Sequence, residues 1–235
     1  VTGVVADRRE AVIEALRTVR DPELDESIVD LDFVTSSTVD GGHADVRLRL
    51  PTYFCAPNFA YLMVADAFDA VRAVPGVASV SIKLEDHFAS EEINSGVAVG
   101  AGFVGSFPDE AAAELDELRR NFLHKAHVAA MERACRRLLA DGWTIESLPQ
   151  ARLADLPDGA ERGRLLRRRA DIDLPTDPGC RVLVGDDGAP VAPDDVPLRL
   201  RFARAVRVSI DGNAHFCRGL LATRYPDSVA QEEPS

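Results

Sequence analysis

Among the four cysteines of the chain, Cys55, Cys135, Cys180 and Cys217, one stands where a thiol can do chemistry. In LPTYFCAPNFAYLMVADAFDAV, Leu50 to Val71, Cys55 falls between a run that alternates apolar and polar residues and a run with helical spacing. A thiolate at a strand-to-helix junction is stabilised by the positive end of the helix, which suits a metal or sulfur ligand or a nucleophile. Asp21 and Glu23 flank Pro22, and Asp86 and His87 follow a second alternating run that ends at Glu85. Carboxylates and imidazole are the harder donors that complete a shell begun by sulfur. Each residue also has a structural reading: a lone cysteine serves as a small buried hydrophobe, Asp21 and Glu23 as turn and capping groups, and His87 as a solvated loop residue.

The elements that must position these groups follow from periodicity. Asp7 and Glu10 have capping-box spacing, and Val12, Ile13, Leu16 and Val19 recur at helical spacing until Pro22. Residues Ile28 to Val39 are rich in β-branched side chains, Asp40-Gly41-Gly42 supplies a turn, and Ala44, Val46, Leu48 and Leu50 alternate with polar neighbours. A hairpin is expected. A second helix opens at Pro57 and ends near Pro75-Gly76, and Val80, Ile82 and Leu84 form a third strand. The order is α-β-β-α-β. Its β-α-β unit implies parallel strands with a right-handed crossover, whose C-terminal ends share one edge, the usual place for ligands in open sheets. Because the hairpin reverses direction, the start of the first strand reaches the same edge. Asp21 and Glu23, Cys55, and Asp86 with His87 are therefore expected to converge.

A net charge of −12 argues against nucleic acid and anionic membranes as main partners. The cysteines lie far apart with no C-x-x-C pair, so neither a disulfide framework nor a zinc-finger set is indicated. No apolar run approaches the roughly 18 residues of a spanning helix, and no secretory leader pattern opens the chain. A soluble, cytoplasmic protein is expected.

The run ALRTVRDPELDESIVDLDFV, Ala15 to Val34, with the Cys55 junction and VPGVASVSIKL, resembles the metal-sulfur cluster assembly domain of SufT-type and PaaD-type proteins. The resemblance spans Val12 to Leu84. It implies the same α-β-β-α-β fold, a role in maturing iron-sulfur proteins, and, for PaaD-type members, service to an iron-dependent multicomponent oxygenase. It places the proposed site of transient cluster or metal handling on Cys55 and the acidic pair of the D-P-E motif on Asp21 and Glu23. Two departures stand out: Asp32 where the family usually has glycine after D-L, and Ala56 between Cys55 and Pro57 where cysteine and proline are usually adjacent.

Beyond this domain, residues 93–108 are glycine-rich and read as a linker or ordered crossover, and Asp109 to Ala140 as one long helix. RVLV, the run from Leu198 to Ile210 and a turn at Asp211-Gly212-Asn213 suggest a small sheet ending in a hairpin. The fold class expected is thus α+β, with domains at 1–92 and 109–226 and a disordered tail at 227–235. Gly100 to Gly105 spells G-x-G-x-x-G, but Ser106-Phe107-Pro108 delays the helix that a dinucleotide site needs. On the long helix His124, His127, Met131 and Cys135 share a stripe that suits core packing or a soft metal. His215 and Cys217 would share one side of a strand as a ligand pair, and the arginines from Arg162 to Arg169 would solvate a helix or dock an acidic protein.

The leading expectation is a non-enzymatic accessory factor. Cys55, with Asp21, Glu23, Asp86 and His87 as harder ligands, would hold a transient iron or iron-sulfur cluster for a client enzyme. The C-terminal half would recognise that client or a second copy, forming a homodimer. Two alternatives stay open: a thiol enzyme with Cys55 as nucleophile and His87 as base, and a metal-free protein-binding module.

Overall fold

A computed structural model describes residues 2–100, 102–107 and 112–226. The described chain forms two compact units, one from Val1–Asp116 with Asn213–Ser235 and the other from Glu117–Gly212. In the first, α1 (Thr2–Thr18), β1 (Val34–Asp40), β2 (His43–Arg49), α2 (Pro57–Arg72) and β3 (Ser79–Glu85) follow in the expected order, then α3 (Ser90–Ala98) and α4 (Gly102–Ser106). The sheet order is β1-β2-β3, with β1 antiparallel to β2 and β2 parallel to β3. The hairpin closes through Gly41 and Gly42, both left-handed at φ +53° and +87°, a turn that suits the strand twist.

Alternation along the strands buries Ala44, Val46, Leu48, Ile82 and Leu84 against Val12 and Leu16 of α1 and Ala60, Val64, Ala67 and Val71 of α2. α1 starts at Thr2, so Asp7 lies within the helix rather than capping it. The strand expected from Ile28 begins only at Val34. The preceding residues turn tightly, with Ile28 N–H donating to Val19 O and Phe33 N–H to Ile28 O, and this buries Ile28, Leu31 and Phe33. The glycine-rich stretch holds α3 and α4, and its apolar residues Ile93, Val97 and Phe103 are buried in the same core. Asn94 of α3 satisfies the free edge of β3: its Oδ1 accepts Leu84 N–H at 2.8 Å and its Nδ2 donates to Leu84 O at 3.0 Å.

The sheet expected in the C-terminal half is replaced by helix. After α5 (Ala112–Ala140) and α6 (Ala160–Ala170), one continuous helix, α7 (Val196–Arg224), runs through the Leu198–Ile210 stretch and the Asp211-Gly212-Asn213 turn. RVLV makes only isolated bridges, Arg152 to Arg181 and Val184 to Pro190. The second core joins Val128, Met131, Ala134, Cys135 and Leu138 of α5 to Leu165 of α6, Val182–Val184, and Val196 and Ala203 of α7. The basic run is partly structural, because buried Arg169 donates to the carbonyls of Pro175, Arg181 and Val182. From Asn213 onward α7 belongs to the first unit, and its Ala214 and Leu221 enter the first core. Residues 109–111 of the expected long helix and the tail at 227–235 lie outside the described residues.

His127 is fully buried on α5, and neither of its ring nitrogens has a hydrogen-bond partner among the described residues. Burial, with Arg169 and Arg199 adding to it, lowers its pKa from 6.5 to about 4. The unfolded chain then binds the extra proton between these values, so stability is present above pH 6.5 and is lost as pH falls toward 4. His127→Leu should remove about 2 kcal/mol of acid sensitivity between pH 7.5 and pH 5, read from denaturant midpoints at both values. Equal pH dependence in both proteins would contradict this origin.

Candidate functional site

The parallel register Arg49↔Glu85 brings the ends of β2 and β3 side by side, and the start of β1 meets them through Val34↔Leu48. Phe33 O extends this edge by accepting Arg49 N–H at 2.8 Å. Cys55 follows β2 in the loop that leads into α2, one residue before the N-cap position Ala56, which offers no side-chain cap, and Pro57 occupies the first turn. The thiol is half-buried, with Thr52 Oγ1 3.3 Å from Sγ, a hydroxyl–thiol contact in which either group can donate.

The loop after β3 grips the Cys55 loop by two hydrogen bonds. His87 Nε2 donates to the Cys55 carbonyl at 2.7 Å, and Phe88 N–H donates to Tyr53 O at 3.2 Å. His87 Nδ1 accepts Ala89 N–H at 3.2 Å, so both ring nitrogens are engaged by a neutral imidazole. Burial, the larger effect, lowers its pKa and favours that neutral form. His87 therefore positions the backbone of Cys55, and its ring is bonded to the carbonyl rather than to the thiol. Around the loop Tyr53, Phe54 and Phe88 form an exposed aromatic cluster, with ring centroids 5.0 Å, 6.0 Å and 6.3 Å apart, and Phe54 is 77% exposed.

Asp21 is buried, and its Oδ1 accepts the N–H groups of Glu23 and Leu24, each at 2.9 Å. Despite these bonds, burial pushes its pKa up to about 6, with Glu23 and Glu26 adding repulsion. Glu23 Oε1 accepts Asn213 Nδ2 at 3.1 Å. Asp86, in the left-handed region at φ +52°, accepts Tyr225 OH at 3.1 Å through Oδ2. Arg224 pins both strand ends, donating to Leu50 O at 3.1 Å and to Asp86 O at 2.6 Å. The last turns of α7 thus lie along the edge, and Cys217 is among their half-buried residues. Burial raises the Cys217 thiol to about 11, and the charges of Asp21, Cys55 and Glu23 act on it in the same direction.

The expected groups reach one edge, but most of them are tied there by structural bonds. Among the described residues, no three His, Cys, Asp or Glu side chains are gathered so as to hold a metal ion. His215 is exposed, and two residues apart on a helix it and Cys217 do not share a face. Sequence reasoning missed the contribution of Asn213, Arg224 and Tyr225, and it singled out Cys217 only as a partner of His215 on a strand. Their signal was a seven-residue spacing, 203, 210, 217 and 224, with 214 and 221 between, which marks one face of a long helix.

Residues 9–83 match the family model described as iron-sulfur cluster assembly protein. Over 87 residues the chain is 33% identical to an uncharacterized protein of Methanocaldococcus jannaschii, covering 37% of this chain and 90% of that one. The chain belongs to the iron-sulfur cluster assembly protein family. It is also 36% identical over 75 residues to an iron-sulfur cluster carrier protein of Synechocystis, covering 32% of this chain and 21% of the carrier, so it spans about a fifth of that relative's length. No solved structure matches it significantly. The matched span of this iron-sulfur assembly family member contains Asp21, Glu23 and Cys55, whereas Asp86, His87 and Cys217 lie beyond it. Asp32, the departure from the usual glycine, adopts φ +59°, a left-handed conformation that glycine takes freely and aspartate tolerates. Among the described residues no helix is long and apolar enough to cross a membrane.

The raised pKa of Asp21 fixes the sign of its effect on folding. Between 3.8 and about 6 the folded protein holds the proton more tightly, so stability falls as pH rises through this window. Asp21→Asn keeps an Oδ1 acceptor for both N–H groups and removes the buried charge. It should stabilise the metal-free protein at pH 7.5 by on the order of 2 to 3 kcal/mol and abolish this decline, as read by denaturation across pH 4 to 8. A destabilised Asp21→Asn protein at pH 7.5 would assign Asp21 a partner that requires its charge.

Proposed function

We propose that this protein is a non-enzymatic accessory factor that holds iron or an iron-sulfur unit transiently through Cys55 and delivers it to a client metalloprotein. The observation that carries this reading is the half-buried Cys55 thiol at the β2–α2 junction, inside the span matched by the assembly family. A cysteine sulfur is the soft donor that iron-sulfur units prefer. Asp21 and Glu23 supply negative charge at the same edge. The exposed Tyr53, Phe54 and Phe88 beside the thiol offer apolar surface to a client, since aromatic side chains anchor interfaces. An iron-dependent oxygenase is the client class that the resemblance to PaaD-type proteins favours. An open shell fits delivery, because a fully closed set of protein ligands retains its metal.

The test is anaerobic reconstitution of the full chain with ferrous iron and sulfide, followed by desalting, metal and sulfide analysis, and absorption spectra. Cys55→Ser is close to isosteric and should leave the circular dichroism and melting midpoint unchanged while lowering bound iron about tenfold or more. Cys135→Ser is the control: this thiol is 1% exposed and burial raises it to about 12, so iron should stay at the wild-type level. Equal iron in wild type and Cys55→Ser would refute the assignment.

A further inference from the structure

One thiolate is a weak hold for an iron-sulfur unit, because such clusters are bound by four protein ligands, usually cysteines. The last turns of α7 offer a second thiol from outside the family span. Two anchors fix how these turns lie. Asn213 Nδ2 reaches Glu23 Oε1 at 3.1 Å beside the D-P-E segment, and Arg224 reaches the carbonyls of Leu50 and Asp86, at the strand ends that flank the Cys55 loop. A helix rises 1.5 Å per residue, so Cys217 lies about 6 Å along the axis from Asn213 and about 10 Å from Arg224. Asn213, Cys217, Leu221 and Arg224 are spaced by four, four and three residues and share one helix face. Leu221 on that face is buried in the first core. Cys55 and Cys217 pack as half-buried residues against this same core, and both are free thiols.

We infer that Cys217 is the second thiolate of the cargo site, pairing with Cys55 on one iron of an iron-sulfur unit while the remaining ligands come from outside the chain. This rests on the delivery reading above. Binding is a ligand exchange on a preformed unit: each sulfur displaces one exchangeable ligand from the iron, that ligand and any thiol proton leave to solvent, and no electron is transferred.

The experiment compares full-length wild type, Cys55→Ser, Cys217→Ser and Cys180→Ser. Each is reconstituted anaerobically with ferrous iron and sulfide and, separately and without metal, treated with dibromobimane, which fluoresces when it bridges two neighbouring thiols. Cys217→Ser should lose iron about tenfold, as Cys55→Ser does, while keeping its circular dichroism. Bridging should occur in wild type and Cys180→Ser and vanish in the other two. Wild-type iron in Cys217→Ser with loss in Cys55→Ser would overturn the second thiolate and leave the Cys55 reading standing. Equal iron in all four, or none in wild type, would overturn the delivery reading and this inference with it. Absence of bridging in wild type would overturn the juxtaposition itself.

Discussion

Parallel strands end side by side, and the candidate site follows from that constraint. β2 and β3 run in register from His43↔Ser79 to Arg49↔Glu85, so the chain must leave both strands at one edge. Strand ends expose carbonyls that need donors, since an unpaired buried carbonyl costs about as much as a lost hydrogen bond. Arg224 answers that need for the part-buried carbonyl of Leu50 and also bonds the exposed carbonyl of Asp86, its charge strengthening both bonds. A guanidinium held at this position brings its helix with it. The backbone chemistry of the edge therefore explains why the last turns of α7 lie where Cys55 opens, with Tyr225 on Asp86 and Asn213 on Glu23 as further ties.

The same logic separates the groups that build the edge from those left for cargo. His87 uses both nitrogens to fix the Cys55 loop, Asp86 holds Tyr225, and Asp21 closes the turn that carries Glu23. A ligand must offer a lone pair that no hydrogen bond already uses. The sulfur atoms of Cys55 and Cys217 meet this condition best, because thiols are weak hydrogen-bonding groups and give up little when a metal displaces a neighbour such as Thr52.

The fold of the first unit was legible because its signals were consistent. Period-two alternation in Ala44 to Leu50, the double glycine and Pro57 all agree with one topology, and the predicted convergence of three polar clusters at one edge followed from chain direction alone. The role of His87 was not legible, since sequence spacing shows that a histidine reaches an edge but not which atom it meets there. α7 was misread for a different reason. Its exposed Leu198, Phe202 and Val208 create an apparent strand alternation, while the residues it buries, Val196, Ala203 and Ile210, are seven apart and include a small alanine. Apolar residues on a solvent face carry no burial information, so the alternation they made had no structural meaning.

That misreading gave Cys217 the wrong neighbours. In a strand, Cys217 would be grouped with His215, two residues away, whereas in a helix it is grouped with Asn213, Leu221 and Arg224. The secondary structure of one stretch thus decides which residues are neighbours and hence which chemistry can be considered at all. It also decides how the chain can be divided. A break after residue 108 would take Ala214, Leu221 and Arg224 away from the first unit, exposing part of its core and leaving the carbonyls of Leu50 and Asp86 without their donor. The residues matched by the family form a sheet with its helices, but the edge where cargo would sit is finished by a helix more than a hundred residues further along the chain. The ties of that helix to the edge are the contacts of Asn213 with Glu23 and Tyr225 with Asp86, the two carbonyl bonds of Arg224, and the burial of Ala214 and Leu221 in the first core, so the helix is held there without sharing a strand.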